Sequence, residues 1–370
     1  MGKVNILELS PDGLRLFLER MGEKPYRAGQ ILAWLYHKGA QSWEEMTDLP
    51  KALRKMLSES ADMGLLHLSK KQVSADKTEK YLVALADGQA VETVMLPYDT
   101  GTSACISTQV GCRMGCVFCA SGIPGFIRNL SAAEIMAQVL LVKNRLLQRG
   151  QELKNFVLMG SGEPLDNYEA IVEFLGAVQD RERLGMSLRH VTLSTAGLAP
   201  KILNLAGLGW PLNLAVSLNA ADNALRDRLM PVNRSYPLEQ LLSACDEYAK
   251  KTGRRVTYEY ILLHNINDQA EHAMQLAALL MNRLAHVNLI PFNAVPELAL
   301  KPSPRNVVNE FAGILKKKMI NVTVRRRLGA DIAAACGQLR NNLCMNNDPV
   351  QKQGDGSRAS IKVSGHDEIN

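Results

Sequence analysis

Residues 105–119 read Cys105-Ile-Ser-Thr-Gln-Val-Gly-Cys112-Arg-Met-Gly-Cys116-Val-Phe-Cys119. Cys112, Cys116 and Cys119 are separated by three and then two residues, close enough for one short loop to bring three thiolates to a single metal centre. A structural zinc site normally has four protein ligands, and the chain offers no nearby fourth Cys and no His between Cys119 and His190. The alternative is a four-iron cluster in which three irons are held by Cys and the fourth keeps an open position for a small molecule. An open position implies chemistry.

The Cys-x3-Cys-x2-Cys spacing, with Phe118 just before the last Cys, resembles the cluster loop of the radical S-adenosylmethionine enzymes. That resemblance implies a 4Fe-4S cluster whose free iron chelates the amino and carboxylate groups of S-adenosylmethionine. One electron then cleaves the sulfonium to a 5′-deoxyadenosyl radical. The competing readings are chance core cysteines or a zinc knuckle, and three cysteines in eight residues of a seven-cysteine chain weigh against them.

A chain of 370 residues divides into about two or three average domains, although an α/β barrel can take most of it as one. Hydrophobic content of 46% supports a large core. No apolar run reaches the roughly 18 residues that span a membrane, and Met1-Gly-Lys-Val-Asn-Ile-Leu-Glu8 lacks the layout of a secretory signal. An odd cysteine count argues against a secreted disulfide framework. The expectation is a cytoplasmic protein with reduced thiols. The net charge of +6, from 43 Lys and Arg against 37 Asp and Glu, is compatible with a nucleic-acid partner without requiring one. Arg325-Arg326-Arg327, Lys316-Lys317-Lys318 and Arg254-Arg255 are local basic runs, each a solvated face or a phosphate contact.

Before the cysteine loop, residues 1–65 read as a small all-helical module, with Ser10 as a cap ahead of Pro11 and helical spacing of Ile31, Leu32, Trp34 and Leu35. Its Tyr26, Arg27, Gln30, Trp34, Tyr36 and Lys38 either stack on bases and pair phosphates or, for Trp34 and Tyr36, fill the module's core. Residues 66–98 read as a hairpin linker, with Tyr81–Leu85 and Ala90–Leu96 around an Asp87-Gly88 turn. Glu92 lies in its second strand. A strand Glu usually faces solvent; one that points into a closed cavity becomes a candidate proton acceptor.

After the loop, Ser131-x-x-Glu134 is a capping box opening a helix to about Arg149. Six apolar runs follow as strand candidates: 155–159, 190–194, 212–218, 256–262, 287–290 and 321–325. With a strand inside 104–109 they make seven, separated by helical spans, so residues 99–345 are expected to form a partial parallel α/β barrel. Working groups in such barrels sit at the C-terminal ends of strands. The polar turns Gly160-Ser-Gly-Glu163, Ser194-Thr195, Ser217-Leu218-Asn219 and Asn293 fall there. Residues 346–370 are polar and Gly/Ser-rich and read as a disordered tail.

Taken together, Cys105-x-Ser-x-Gln-Val-Gly-Cys112, Gly162-Glu163-Pro164, Leu193-Ser194-Thr195 and Ala335-Cys336-Gly337-Gln338-Leu339 resemble the RlmN and Cfr group of radical S-adenosylmethionine RNA methyltransferases, over about residues 10–342 and most closely on the RlmN side. The resemblance implies methylation of adenine carbon 2 in 23S ribosomal RNA before full ribosome assembly, and in transfer RNA 3′ of the anticodon. Cfr-type methylation of carbon 8 is the close alternative. It implies that two S-adenosylmethionine molecules are used per turnover, with Cys112, Cys116 and Cys119 as cluster ligands. Cys336 would carry the methyl group, Glu92 accept the ring proton, and Cys105 release the product through a transient disulfide with Cys336. Gly162, Glu163, Ser194, Ser217, Leu218, Asn219 and Asn293 would hold S-adenosylmethionine, and flavodoxin or ferredoxin would supply electrons. The chain departs from the family pattern at Ser161, usually Met, and Asn219, commonly His. Cys245 and Cys344 match no family motif. Two other classes stay open at this point. One is a zinc-bearing RNA-binding protein without catalysis; the other is a radical enzyme acting on a small molecule.

Overall fold

The computed structural model describes residues 2–339. The expected tail at 346–370 and Cys344 lie outside the described residues. In chain order the strands are β1 (Val4–Asn5), β2 (Ala61–Asp62), β3 (His67–Val73), β4 (Glu79–Ala84), β5 (Ala90–Tyr98), β6 (Gly101–Cys105), β7 (Gln109–Val110), β8 (Arg128–Asn129), β9 (Leu153–Leu158), β10 (Val191–Thr195), β11 (Asn213–Ser217), β12 (Val256–Leu262), β13 (Ala285–Pro291) and β14 (Val322–Val324). The helices are α1 (Pro11–Arg20), α2 (Arg27–Ala33), α3 (Lys51–Ser60), α4 (Ala132–Leu147), α5 (Tyr168–Gln179), α6 (Ala199–Gly207), α7 (Asn223–Leu229), α8 (Leu238–Thr252), α9 (Ala270–Leu280) and α10 (Arg305–Lys317).

Ten strands form one sheet in the order β14-β13-β12-β11-β10-β9-β6-β5-β4-β3. From β6 to β14 neighbours run parallel, and β5, β4 and β3 extend the sheet antiparallel. The order does not close on itself, so this is the expected partial barrel with an antiparallel wing. Residues 66–98 are therefore continuous with the main sheet and are not a linker. β3 escapes the sequence pattern because it is an edge strand exposed on most positions. The segment at 104–109 splits: β6 joins the sheet, whereas β7 pairs antiparallel with β8 at the foot of the cysteine loop. His190 ends a short 3-10 turn ahead of β10.

Local chemistry explains the helix starts. Ser10 accepts from the Gly13 amide ahead of Pro11 in α1, and Ser131 and Glu134 form the reciprocal capping box of α4. The N-terminal module is helical except that β1 and β2 pair in parallel, Val4 with Ala61 and Asn5 with Asp62. Tyr36 is buried in the module's core. Trp34 is half-buried, donates to Asp48 at 2.6 Å and carries the Lys38 ammonium 4.0 Å above its ring. Tyr26 is exposed, with the Arg27 guanidinium 4.8 Å from its ring centre. Among the described residues no helix is long and apolar enough to cross a membrane.

Candidate active site

The cysteine loop leaves β6, is held at its base by the β7–β8 pair, and returns to α4. Glycine is obligatory at 111: its φ is +75°, and a Cβ there would sit 1.8 Å from the Gly125 carbonyl oxygen. Gln109 ties the base of the loop to the turn after β9, donating to Asp166 at 2.8 Å and accepting from the Glu163 amide at 2.8 Å. Cys112, Cys116 and Cys119 are all half-buried and line one cleft with Met159, Gly162, Glu163, Ser194, Ser217 and Cys336. The cleft holds about 790 Å³ of empty space, counting the part open to solvent.

The donor set fits a cluster better than a lone ion. Three thiols are soft ligands suited to iron–sulfur centres and zinc. Among the described residues no three His, Cys, Asp or Glu side chains converge closely enough to hold one ion. A cluster instead spreads its three sulfur ligands over three irons. Burial pushes the Cys112 thiol up to about 12 and raises Cys116 and Cys119 as well. Such thiols give up their protons on metal coordination.

The polar turns at the ends of β9, β10 and β11 form the opposite wall. Glu163 is buried, its two carboxylate oxygens accepting from the Leu165 amide at 3.0 Å and the Ala196 amide at 2.6 Å. Burial outweighs those hydrogen bonds and lifts its pKa to about 7. Ser194 and Ser217 are half-buried and face the cleft. Leu218 and Asn219 are fully enclosed behind this wall. Asn219 sits at φ +59°, its carbonyl group accepting from the Ile261 amide at 2.8 Å and its amide donating to the Met230 sulfur at 3.1 Å. A short amide side chain tolerates that left-handed backbone and ties β11 to β12. Ser161 is buried, its backbone hydrogen-bonded to Ser107, Thr108 and Gln109.

Arg226 escapes a sequence reading, since an Arg on a short helix ordinarily faces water. Here it is fully buried, donating to the carbonyls of Ala196 at 2.8 Å, Ser217 at 3.0 Å and Leu218 at 3.1 Å and to Asn233 at 2.9 Å. It fixes the turns after β10 and β11 against each other. Burial lowers its pKa to about 10.

A second cavity adjoins the first. It is lined by Leu96, Tyr98, Cys105, Asn293 and the segment 325–328, and has about 500 Å³ of empty space on the same measure. Cys336, Met159, Ile290 and Arg325 line both cavities and so form the wall between them. Cys105 is buried at the end of β6, and its thiol is pushed up to about 12, by burial first and then by the neighbouring Cys336. Asn293 donates to the Cys336 carbonyl at 3.2 Å, while its own side-chain oxygen is buried without a donor. That open acceptor fits a ligand carrying N–H or O–H groups.

The segment bearing Cys336 is pinned from several sides. Asp76 accepts from the Gly329 amide at 2.8 Å, Ser74 donates to Asp331 at 2.5 Å, and the Gly337 carbonyl accepts from Ala120 at 2.8 Å. Glu92 is buried on β5, on the face that carries Cys105, because Val94 pairs directly with Cys105. It lines neither cavity and instead meets the Lys80 ammonium at 2.9 Å. Of the residues singled out from sequence, the three loop cysteines, Gly162, Glu163, Ser194, Ser217 and Cys336 share one cleft. Cys105, Cys336 and Asn293 share the other.

Comparison with known proteins identifies relatives along most of the chain. Residues 4–63 match the family described as ribosomal RNA large subunit methyltransferase N-terminal domain, and residues 106–277 match the radical SAM superfamily. The chain is 48% identical over 339 residues to a probable dual-specificity RNA methyltransferase RlmN of Desulforamulus reducens, covering 91% of this chain and 96% of the relative. It is also 48% identical over 354 residues to the protein of that description from Pelotomaculum thermopropionicum, covering 95% of each. A crystal structure of a radical SAM methyltransferase from Sphaerobacter thermophilus superposes with a TM-score of 0.89 at 41% identity, covering 91% of this chain and 99% of that one.

Proposed function

The chain belongs to the RlmN family of radical S-adenosylmethionine RNA methyltransferases, and on that basis we propose that it methylates carbon 2 of an adenosine in 23S ribosomal RNA and of the adenosine 3′ of the anticodon in transfer RNAs. The carrying observation is the position of Cys336 in the wall between two cavities, one edged by three cysteines and the other by a buried Cys105. A thiol so placed can be loaded from one side and can present its cargo on the other.

Carbon 2 of adenine is electron-poor, so it does not attack a methyl sulfonium as an amine does. When bound, a cluster on Cys112, Cys116 and Cys119 supplies one electron to S-adenosylmethionine and so furnishes a carbon radical able to take hydrogen from a methyl group. Gly162, Glu163, Ser194 and Ser217 orient that cofactor in the cleft, Glu163 acting as an acceptor, while Leu218 and Asn219 hold the wall from behind. Two S-adenosylmethionine molecules are consumed, one methylating Cys336 and one activating that methyl group. The methyl carbon of Cys336 bonds to carbon 2 of the adenine, tethering the RNA to the chain. Loss of the ring proton to Glu92 and of one electron, for which the one-electron centre that Cys112, Cys116 and Cys119 would hold is the acceptor, would restore the ring. Cys105 then attacks the Cys336 sulfur: an S–S bond forms, the S–C bond breaks, and its electron pair leaves with the carbon, which takes up a proton. A flavodoxin- or ferredoxin-type donor in the cytoplasm is the matching electron source. Residues 1–65 are the matching RNA-binding accessory part, where Tyr26 offers an exposed ring beside Arg27.

The test is mass spectrometry of nucleosides from ribosomal and transfer RNA of cells lacking and then regaining the gene. Restored 2-methyladenosine in both RNAs is expected. The appearance of 8-methyladenosine without 2-methyladenosine would assign the Cfr-type reaction instead.

A further inference from the structure

The ten-stranded sheet is open between β14 and β3, and the chain bridges that opening itself. Residues 325–339 leave β14 at one edge of the sheet, and Gly329, five residues on from Val324, already touches the β3–β4 turn at the other. Five residues reach at most about 18 Å, so the tip of the antiparallel wing lies within that distance of the end of β14. Cys336 rides on this strap. Its backbone is irregular: Gly329, Ala333 and Gly337 sit at φ +67°, +50° and +80° around one short 3-10 turn. A segment of that kind takes its position from what it touches. It has two footings. Beyond Cys336, the Gly337 carbonyl accepts from the Ala120 amide at 2.8 Å and the Leu339 carbonyl from the Ser121 hydroxyl at 2.8 Å, both beside the cysteine loop. Ahead of Cys336 the footing is the β3–β4 turn. One carboxylate oxygen of Asp76 shapes the turn, accepting from the Thr78 amide at 2.9 Å, and the other accepts from the Gly329 amide at 2.8 Å. Asp331 returns the contact, accepting from the Ser74 hydroxyl at 2.5 Å and the Ala75 amide at 3.2 Å. Packing closes the joint, since a Cβ on Gly329 would stand 2.8 Å from the Thr78 methyl carbon.

We propose that the β3–β4 turn is the outer footing that holds the Cys336 sulfur in register with Cys105, with Asp76 and Ser74 as positioning residues for the methyl carrier. This rests on the reading of Cys336 as the carrier and Cys105 as the resolving thiol. Ser74 and Asp76 line neither cavity, so they act through the strap alone. The physical need follows from the two tasks of Cys336, which meets a cofactor on one side of the wall and Cys105 on the other. A strap held only beyond Cys336 would swing through many positions and seldom present the sulfur to Cys105. Amide and hydroxyl donors on carboxylates are among the stronger hydrogen bonds, and two of them here bind residues 329 and 331 to one turn. The antiparallel wing thereby gains a task in the reaction: its tip closes the open side of the barrel over the carrier.

The experiment reads the equilibrium between the two thiols instead of turnover. Full-length protein is made in iron-depleted cells, so that Cys336 carries no methyl group, and loaded with cluster in vitro to withhold the three loop thiols. It is then equilibrated without oxygen in mixtures of reduced and oxidised glutathione. Forming the Cys105–Cys336 disulfide passes two electrons and two protons from the thiols to one glutathione disulfide, which becomes two glutathione molecules. Peptide mass spectrometry after alkylation gives the fraction joined, and hence the effective concentration of one thiol at the other. Asp76→Ala should lower that concentration at least about tenfold, the equilibrium worth of a hydrogen bond to a charged group. Asp76→Asn, which keeps an acceptor oxygen for the Gly329 amide, should recover most of it. Ser10→Ala uncaps α1 and should lower the melting temperature without moving the thiol equilibrium. An equal fall in Ser10→Ala would trace the effect to lost stability alone and overturns the inference. Wild-type protein in which Cys105 and Cys336 do not pair sinks the two-thiol reading and the inference with it, whereas equal pairing in the wild type and in Asp76→Ala refutes the footing only. If Asp76→Ala does not fold, Ser74→Ala decides. It removes the hydroxyl from which Asp331 accepts and should lower the effective concentration about threefold or more; no change overturns the inference.

Discussion

Cys105 and Cys336 are both thiols beside one cavity, yet their settings differ. Cys105 is buried and pushed up to about 12, whereas Cys336 is half-buried in the partition between the two cavities. The scheme proposed for them predicts separate failures. On the proposed scheme, Cys336→Ala is expected to remove the carrier, so that no covalent protein–RNA species forms, whereas Cys105→Ala is expected to permit attachment and block release, so that an adduct accumulates. Denaturing gel electrophoresis with labelled RNA distinguishes them, and adduct absent from both variants contradicts the scheme. The raised thiol also sets a pH dependence. Only the thiolate attacks, and well below its pKa the thiolate fraction grows about tenfold per pH unit. Release of RNA from pre-formed adduct is therefore expected to accelerate about tenfold per unit from pH 7 to 9, measured by rapid quench. A flat profile would mean that a base within the site deprotonates Cys105 before attack.

The turn after β9 has almost no slack. A Cβ on Gly160 would stand 2.6 Å from the Ser107 backbone nitrogen, and one on Gly162, at φ +108°, 2.6 Å from Gln109. Gly160→Ala should destabilise the protein by about 1–3 kcal/mol in denaturant titrations, because the obstructing atom is backbone. Gly176→Ala is the matched control. Its site on α5 has no atom within 4 Å of an added Cβ, so the substitution should stabilise by roughly 0.5–1 kcal/mol. Equal effects would show that the turn can relax. These turns were readable from sequence because β9 to β13 are runs dominated by apolar residues, with helices on one side and a filled interior on the other, and glycine and polar residues break each run at its end. Other features were not readable, each for a physical reason. β1 and β2 are two residues each, too short for any period, and β3 presents His67, Ser69, Lys70 and Lys71 to water. Arg226 and the Lys80–Glu92 pair depend on partners remote in sequence or on strand register, which no local pattern encodes. The side chain of Asn219 reads as a ligand-binding group, yet the φ of its own backbone turns it into a brace between strands.

The matched boundary near residue 63 invites treating the N-terminal module as detachable, and the packing argues otherwise. Ile6, Leu7, Leu14, Leu18, Ile31, Leu35 and Leu57 belong to the same contiguous apolar core as Leu140 of α4 and Phe174 of α5. Arg15 of α1 pairs with Glu182 beyond α5, and Gly39 packs so closely on α4 that a Cβ would lie 2.9 Å from Asn144. Burying a large apolar side chain contributes about 1.5–3 kcal/mol, so uncovering even Leu140 and Phe174 costs about 3–6 kcal/mol, a large part of the total stability of an ordinary domain. A chain starting at His67 is therefore expected to aggregate, or to elute as soluble oligomers on size-exclusion chromatography, with the three loop cysteines intact but unable to retain iron. A monomeric, iron-retaining truncation would show that the shared core is dispensable. The RNA-binding contribution of the module has to be isolated by charge instead. Arg27→Ala with Lys38→Ala alters a half-buried and an exposed side chain, so the melting temperature should stay within a few degrees. If both groups contact phosphate, the slope of log affinity against log salt falls by about 0.7 to 0.9 per side chain removed. A slope unchanged in the double variant would move the RNA footprint off this module and onto the barrel rim, where Arg326 and Arg327 are exposed.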